Sequence, residues 1–131
     1  YKPRGGFFMN YSGPIWAFVD EKVRHTFDQN LPTINALNSW YSGAFLLETV
    51  PCALYILMKH AHNPEEAIVR AVNDTKDNDT IAAIVGAAVG ALHGKEKLPR
   101  RWIDNLVGRT SFDDDGRIFN ILEEAKHLNR G

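Results

Sequence analysis

The sequence is poor in cysteine, in net charge and in long apolar runs, and each shortage narrows what the protein can be. Cys52 is its one cysteine, which excludes an internal disulfide and favours a reducing compartment, so we expect a cytoplasmic protein. The 15 basic and 16 acidic residues give a net charge of −1, so the sequence has no excess of positive charge with which to bind nucleic acid. The longest apolar run, 81–92, is well short of the ~20 residues that a membrane span needs. We therefore expect neither nucleic acid nor a membrane as a partner.

The sequence also lacks a pattern typical of β-strands, because no run of β-branched residues alternates convincingly with polar ones. The sequence instead carries apolar residues at helical spacing, separated by proline, glycine and capping residues. Its 131 residues are enough for one domain with a core of its own. We predict an all-α multi-helix bundle in a single domain, residues 1–131. The helices are expected to begin near Pro14, Thr33, Ala44, Pro64, Asp79 and Pro99, and a last one carries Ile118, Ile121, Leu122 and Leu128.

Two of these helices are predicted to be central. The one over 44–60 is apolar on more than one face, and Pro51 inside it predicts a kink near Leu47 or a start around Thr49. Glu48 in the same helix is costly to bury unpaired, so it faces solvent, meets an arginine or lines a polar cleft. The helix that ends at His93 is rich in glycine and alanine, which lets neighbouring backbones approach closely.

The stretch Asp77-Asn78-Asp79-Thr80 places two carboxylates and a hydroxyl at the mouth of that glycine- and alanine-rich helix. Like charges repel at such a place unless something positive lies between them. One interpretation is capping, in which Asp79 accepts from the free N–H groups of the first turn. The other is a hard cation such as Mg²⁺, which is held in proteins by one or two carboxylates.

A resemblance favours the cation. The segments Glu48-Thr49-Val50-Pro51-Cys52-Ala53-Leu54-Tyr55, 64–73, Asp77-Asn78-Asp79-Thr80-Ile81-Ala82-Ala83 and Leu98-Pro99-Arg100-Arg101-Trp102 resemble the C-terminal half of the ADP-ribosylglycohydrolase family. The resemblance covers roughly residues 43–109. It implies an all-helical fold and hydrolysis of the glycosidic bond between ADP-ribose and an acceptor with two Mg²⁺ or Mn²⁺ ions. It also implies that Asp77, Asp79 and Thr80 are metal ligands.

The chain departs from the family pattern in two ways. Thr75 and Lys76 stand where members usually have two glycines, and the glycine-rich acidic motif and Thr-Asp-Asp cluster of the family's N-terminal half are absent. With Tyr1 rather than methionine at its start, the chain is expected to be a fragment of a larger domain. We expect it to be inactive alone and to pair with a missing N-terminal half or with itself. The implied substrate is an ADP-ribosylated protein or a small ADP-ribose conjugate; the alternative is a non-catalytic helical interaction module.

Overall fold

The computed structural model describes residues 2–108 and 115–128, and all regular structure in these residues is helical. This confirms the all-α prediction. No helix in the described part of the chain is both long enough and apolar enough to cross a membrane. The elements are α1 (Ile15–Phe18), a π-helical turn (Val19–Val23), α2 (Arg24–Asp28), α3 (Thr33–Trp40), α4 (Leu46–His60), α5 (Pro64–Asn73), α6 (Asn78–His93), a 3₁₀ turn (Lys95–Lys97), α7 (Arg100–Ile103) and α8 (Arg117–Leu128).

The chain divides into two compact units, Tyr1–Leu98 and Pro99–Gly131. The first holds α1 to α6. In the second, α7 follows Pro99 as predicted but ends at Ile103, before Leu106, and α8 carries its apolar residues at helical spacing. The organisation of residues 1–131 as a single domain stays a prediction.

Helix α4 is the centre of the first unit, as predicted. It packs against the π turn and against α2, α3, α5 and α6. The helix begins at Leu46 with Phe45 at its N-cap, so Pro51 lies buried within the helix and the expected start around Thr49 is wrong. The Tyr55 ring meets Trp40 edge to face at 5.3 Å between centroids, which joins α4 to α3. The buried apolar residues of this core are Phe18, Val23, Ala36, Leu37, Trp40, Cys52, Ala53, Tyr55, Ile56, Ala67, Ala71, Ile81, Val85 and Val89.

In the first helical stretch Ile15, Trp16, Val19, Val23 and Phe27 recur at helical spacing, which predicts one buried face, and the structure departs from this prediction. A regular α-helix would bury Trp16 with Val19 and Val23, yet Trp16 is 71% exposed and Phe18 is fully buried. The π turn over Val19–Val23 explains the difference, because its wider turn places Phe18 and Val23, five residues apart, on the same buried face. Thr26 continues that face in α2.

Helices α5 and α6 begin where local signals predict. Asn63 Oδ1 accepts the Glu66 N–H at 3.2 Å and Pro64 occupies the first turn, and α6 ends before Gly94 at φ +77°. A central position for α6 is wrong in the described structure. It packs on α5 and α4 and buries Ile81, Val85 and Val89, and its other face is exposed at Ala83, Ile84, Ala87, Ala91 and Leu92.

The glycines of α6 likewise meet no close backbone within the described residues. A Cβ at Gly86 would lie 3.9 Å from Ile68 Cδ1, which is ordinary van der Waals contact, and one at Gly90 would meet nothing within 4 Å. The close helix approach expected from these glycines is therefore not present in this part of the fold.

Candidate metal site at the start of α6

Asp77 marks the boundary at which the helix α6 begins. It is the N-cap residue, with φ −95° and ψ 67°, and its carbonyl accepts the Ile81 N–H at 3.1 Å. Its side chain makes no capping hydrogen bond. The helix starts at Asn78, so Asp79 lies in the first turn and is not the N-cap residue, although its carboxylate accepts one N–H of that turn.

The Asp79 carboxyl group is held by its immediate surroundings. Its Oδ1 accepts the N–H of Thr80 at 2.8 Å, and this bond is the main reason that the pKa of Asp79 lies below its usual value. The nearby Asp77 side chain is the second cause of the lowered pKa of Asp79, so the two carboxyl groups lie close to each other. Thr80 follows in the same turn and is exposed. The structure thus gathers the three predicted residues at one helix end and brings the two carboxyl groups together.

The carboxylate of Asp77 has one oxygen without a partner. Oδ2 is buried and accepts no hydrogen bond, although the residue as a whole is only half-buried. A buried carboxylate oxygen of this kind is unfavourable unless a proton donor or a cation satisfies it. The donor set here consists of carboxylate and hydroxyl oxygens, the ligands that Mg²⁺ and Mn²⁺ prefer. The residues present therefore fit a divalent cation.

The set is also incomplete. Over residues 2–108 and 115–128, no three acidic, histidine or cysteine side chains come together as a group that could hold a metal ion. Two clefts of about 390 and 560 Å³ are present, but their walls come from segments before α5, and no residue of α6 lines them. Within the described residues, the candidate site therefore lies outside both of these clefts.

A serine that sequence reasoning missed holds the loop before Asp77. The Ser42 carbonyl accepts the N–H groups of both Lys76, at 3.1 Å, and Asp77, at 2.9 Å. The Lys76 side chain turns to Tyr41, with Nζ 3.9 Å from the ring centroid, a cation–π contact. No local pattern could reveal these contacts, because they join residues 34 or 35 positions apart.

Glu48 meets an arginine, which is one of the three alternatives that the sequence left open. It is 0% exposed, and Arg4 binds both of its carboxylate oxygens, Nε to Oε1 at 2.8 Å and Nη2 to Oε2 at 2.9 Å. This bidentate geometry is the strong form of a carboxylate–guanidinium contact. The Arg4 guanidinium also lies over the Phe45 ring, 4.7 Å from its centroid.

Comparison with known proteins decides the family of this chain. The ADP-ribosylglycohydrolase family model matches residues 11–129. The chain belongs to the ADP-ribosylglycohydrolase family. The match is wider than the 43–109 region of the predicted resemblance, since it takes in the first helices and α8.

Two curated relatives illustrate the family likeness. The chain is 31% identical over 87 residues to the ADP-ribosylarginine hydrolase Tri1 of Serratia proteamaculans, covering 66% of this chain and 22% of that protein. It is 26% identical over 105 residues to the ADP-ribosylhydrolase ARH3 of Gallus gallus, covering 72% of this chain and 28% of that protein. No solved structure matches. The chain thus spans about a quarter of the length of these relatives.

Proposed function

We propose that this chain supplies one wall of the active site of a divalent-metal-dependent ADP-ribosylhydrolase, which cleaves the glycosidic bond between ADP-ribose and an acceptor. Membership of the ADP-ribosylglycohydrolase family and the printed activities of its relatives support the reaction class. The observation that carries the site is the buried, unpartnered Oδ2 of Asp77, beside a second carboxylate at the same helix end.

In this proposal Asp77, Asp79 and Thr80 hold Mg²⁺ or Mn²⁺, which would supply Lewis acidity and a means to orient the ribose hydroxyls and water. The Asp79 carboxyl group is ionised at neutral pH, as a metal ligand must be, and the hydrogen bond from the Thr80 N–H that lowers its pKa favours this form. The positive end of the α6 dipole stabilises both carboxylates in the absence of substrate. The hydrogen bonds from the loop N–H groups to the Ser42 carbonyl fix the backbone at Asp77, and with it the direction of the Cα–Cβ bond of Asp77.

The proposal requires a partner that supplies the remaining metal ligands. Three oxygen-bearing side chains do not complete the shell of even one cation, so the chain alone is expected to be inactive. The exposed face of α6, with Ile84 at 42% and Leu92 at 66% exposure, is the surface on which the complementary part of the fold, or a second copy, would pack. The substrate would be an ADP-ribosylated protein or a small ADP-ribose conjugate.

The experiment replaces each acidic ligand in the complete protein that carries this chain. Asp77→Ala and Asp79→Ala should each lower Mg²⁺-dependent release of ADP-ribose by more than about 100-fold, since even supporting partners of metal ligands cost 10–100-fold. Both variants should fold, because loop acids contribute little to the core.

Asn78→Ala is the matched control. Asn78 is exposed and lies between the two acids, so its loss changes the same turn without removing a proposed ligand. Full metal-dependent turnover in both aspartate variants would show that these acids stabilise the start of α6 and do not bind a catalytic cation. It would also favour the alternative of a non-catalytic helical module.

A further inference from the structure

The short loop between α3 and α4 holds the candidate metal loop at its backbone. Ser42 is fully buried, and its carbonyl accepts two successive N–H groups, those of Lys76 and Asp77. Its hydroxyl oxygen accepts the Lys76 N–H as well, at 3.1 Å. One residue therefore holds the two successive peptide units on either side of Lys76.

The loop that carries Ser42 is itself fixed by α4. Thr49 Oγ1 donates to the Gly43 carbonyl at 3.3 Å. A Cβ at Gly43 would lie 2.7 Å from Glu48 Oε2, so the buried Glu48 carboxylate lies directly against this glycine. Arg4 holds that carboxylate through both oxygens. The loop that carries Ser42 is thus held by contacts with the central helix, and support from a helix places a residue more precisely than a free loop does.

We propose that Ser42 is a positioning residue for Asp77, which sets the placement of this ligand before any cation binds. The inference rests on the proposed function, because it takes Asp77 and Asp79 as cation ligands. Its physical basis is that Asp77 has non-helical dihedral angles and an Oδ2 that accepts no hydrogen bond, so α6 holds it through its carbonyl and leaves its own N–H to a partner outside the helix. The bonds from Ser42 supply the constraint that the helix does not.

Ser42→Ala tests this role with Ser39→Ala as the matched control. Ser39 is also a buried serine, but its hydroxyl donates to the Ala36 carbonyl of its own helix at 2.6 Å and does not touch the metal loop. Alanine at position 42 removes the hydroxyl contact and keeps the carbonyl. We therefore expect a loss near the lower end of the range for supporting partners, about tenfold in Mn²⁺ affinity.

The measurement is a Mn²⁺ titration of the 131-residue chain, followed by broadening of the backbone amide resonances of Asp77, Asp79 and Thr80. Hydrogen exchange of the Lys76 amide is recorded on the same samples without metal. Ser42→Ala should weaken Mn²⁺ binding about tenfold and speed exchange at Lys76, whereas Ser39→Ala should change neither. Circular dichroism shows whether each variant is folded, and Ser42→Cys, of similar volume, replaces an alanine variant that does not fold.

The outcomes separate the two proposals. Equal Mn²⁺ affinity in Ser42→Ala and Ser39→Ala, with wild type binding, overturns the positioning role and leaves the cation proposal standing. An unmodified chain that shows no Mn²⁺ effect at Asp77 and Asp79 overturns both the cation proposal for this chain and the positioning role. Unchanged exchange at Lys76 in the Ser42 variants also overturns the positioning role of the Ser42 side chain, since the hydroxyl contact would then add nothing to the bonds that the Ser42 carbonyl keeps.

Discussion

The buried ion pair between Arg4 and Glu48 predicts a large and specific loss of stability. Arg4→Ala removes two charge-assisted hydrogen bonds and leaves a fully buried carboxylate without its partner. Breaking a wholly buried pair costs about 3–5 kcal/mol, and a hydrogen bond to a charged group contributes about 1.5–3 kcal/mol. Because the Arg4 side chain is 55% exposed, water can replace part of what it supplies. We therefore expect the free energy of unfolding to fall by about 3 kcal/mol.

The assay is urea unfolding followed by circular dichroism, with Arg24→Ala as the control. Arg24 pairs with Asp20 at 2.9 Å, but both side chains are mostly exposed, so its loss should cost about 0.3–0.5 kcal/mol. At high salt the Arg24 effect should vanish while the Arg4 effect remains, because screening acts mainly on exposed charges. If Arg4→Ala does not fold, Arg4→Lys, which keeps the charge and loses the bidentate geometry, gives an intermediate loss. An Arg4→Ala variant no less stable than Arg24→Ala would refute the reasoning.

Three further predictions concern packing, pH and association. Gly90→Ala should raise the free energy of unfolding of the 131-residue chain by roughly 0.5–1 kcal/mol in a thermal melt, because a Cβ at position 90 has no atom within 4 Å. Gly6→Ala should destabilise the chain, because Gly6 has φ +76° and its Cβ would lie 2.1 Å from the Ser39 carbonyl oxygen. Burial lowers the pKa of His60, whose ring nitrogen is hydrogen-bonded with the Thr33 hydroxyl. Below about pH 6.5 the unfolded chain therefore binds a proton at His60 more readily than the folded protein does. Stability should therefore fall as the pH drops below that value, and His60→Gln should flatten the slope in urea titrations at several pH values. Sedimentation of the isolated chain should show self-association; a compact monomer at every concentration would contradict an unpartnered apolar surface.

Local signals predicted most of the helices. The Asn63-Pro64 start of α5 and the Gly94 end of α6 depend on backbone groups within a few residues, and the structure has both as predicted. The same locality explains the misplaced cap. Asp77 and Asp79 are both good N-cap residues, and only the actual start of α6 at Asn78 decides between them.

Contacts between distant segments could not be predicted in the same way. The sequence showed that Glu48 needed a partner, but the partner is Arg4, 44 residues away in an irregular segment. Ser42 carries no pattern that sets it apart from Ser39, three residues earlier in the chain, because its role depends on how α3, α4 and the loop before α6 pack together. The metal roles of Asp77, Asp79 and Thr80 stay a prediction.

Because of the π turn over Val19–Val23, the first helical stretch can lose one residue and keep the same buried face. A five-residue turn is what an α-helix becomes when one residue is inserted and the buried faces on both sides are kept. Removing the exposed Glu21 would bring Phe18 and Val23 to the four-residue spacing of an ordinary α-helix, with both still facing the core. A relative one residue shorter at this place can therefore share the same core, and a gap here in an alignment would record a change of helical turn and not a loss of structure.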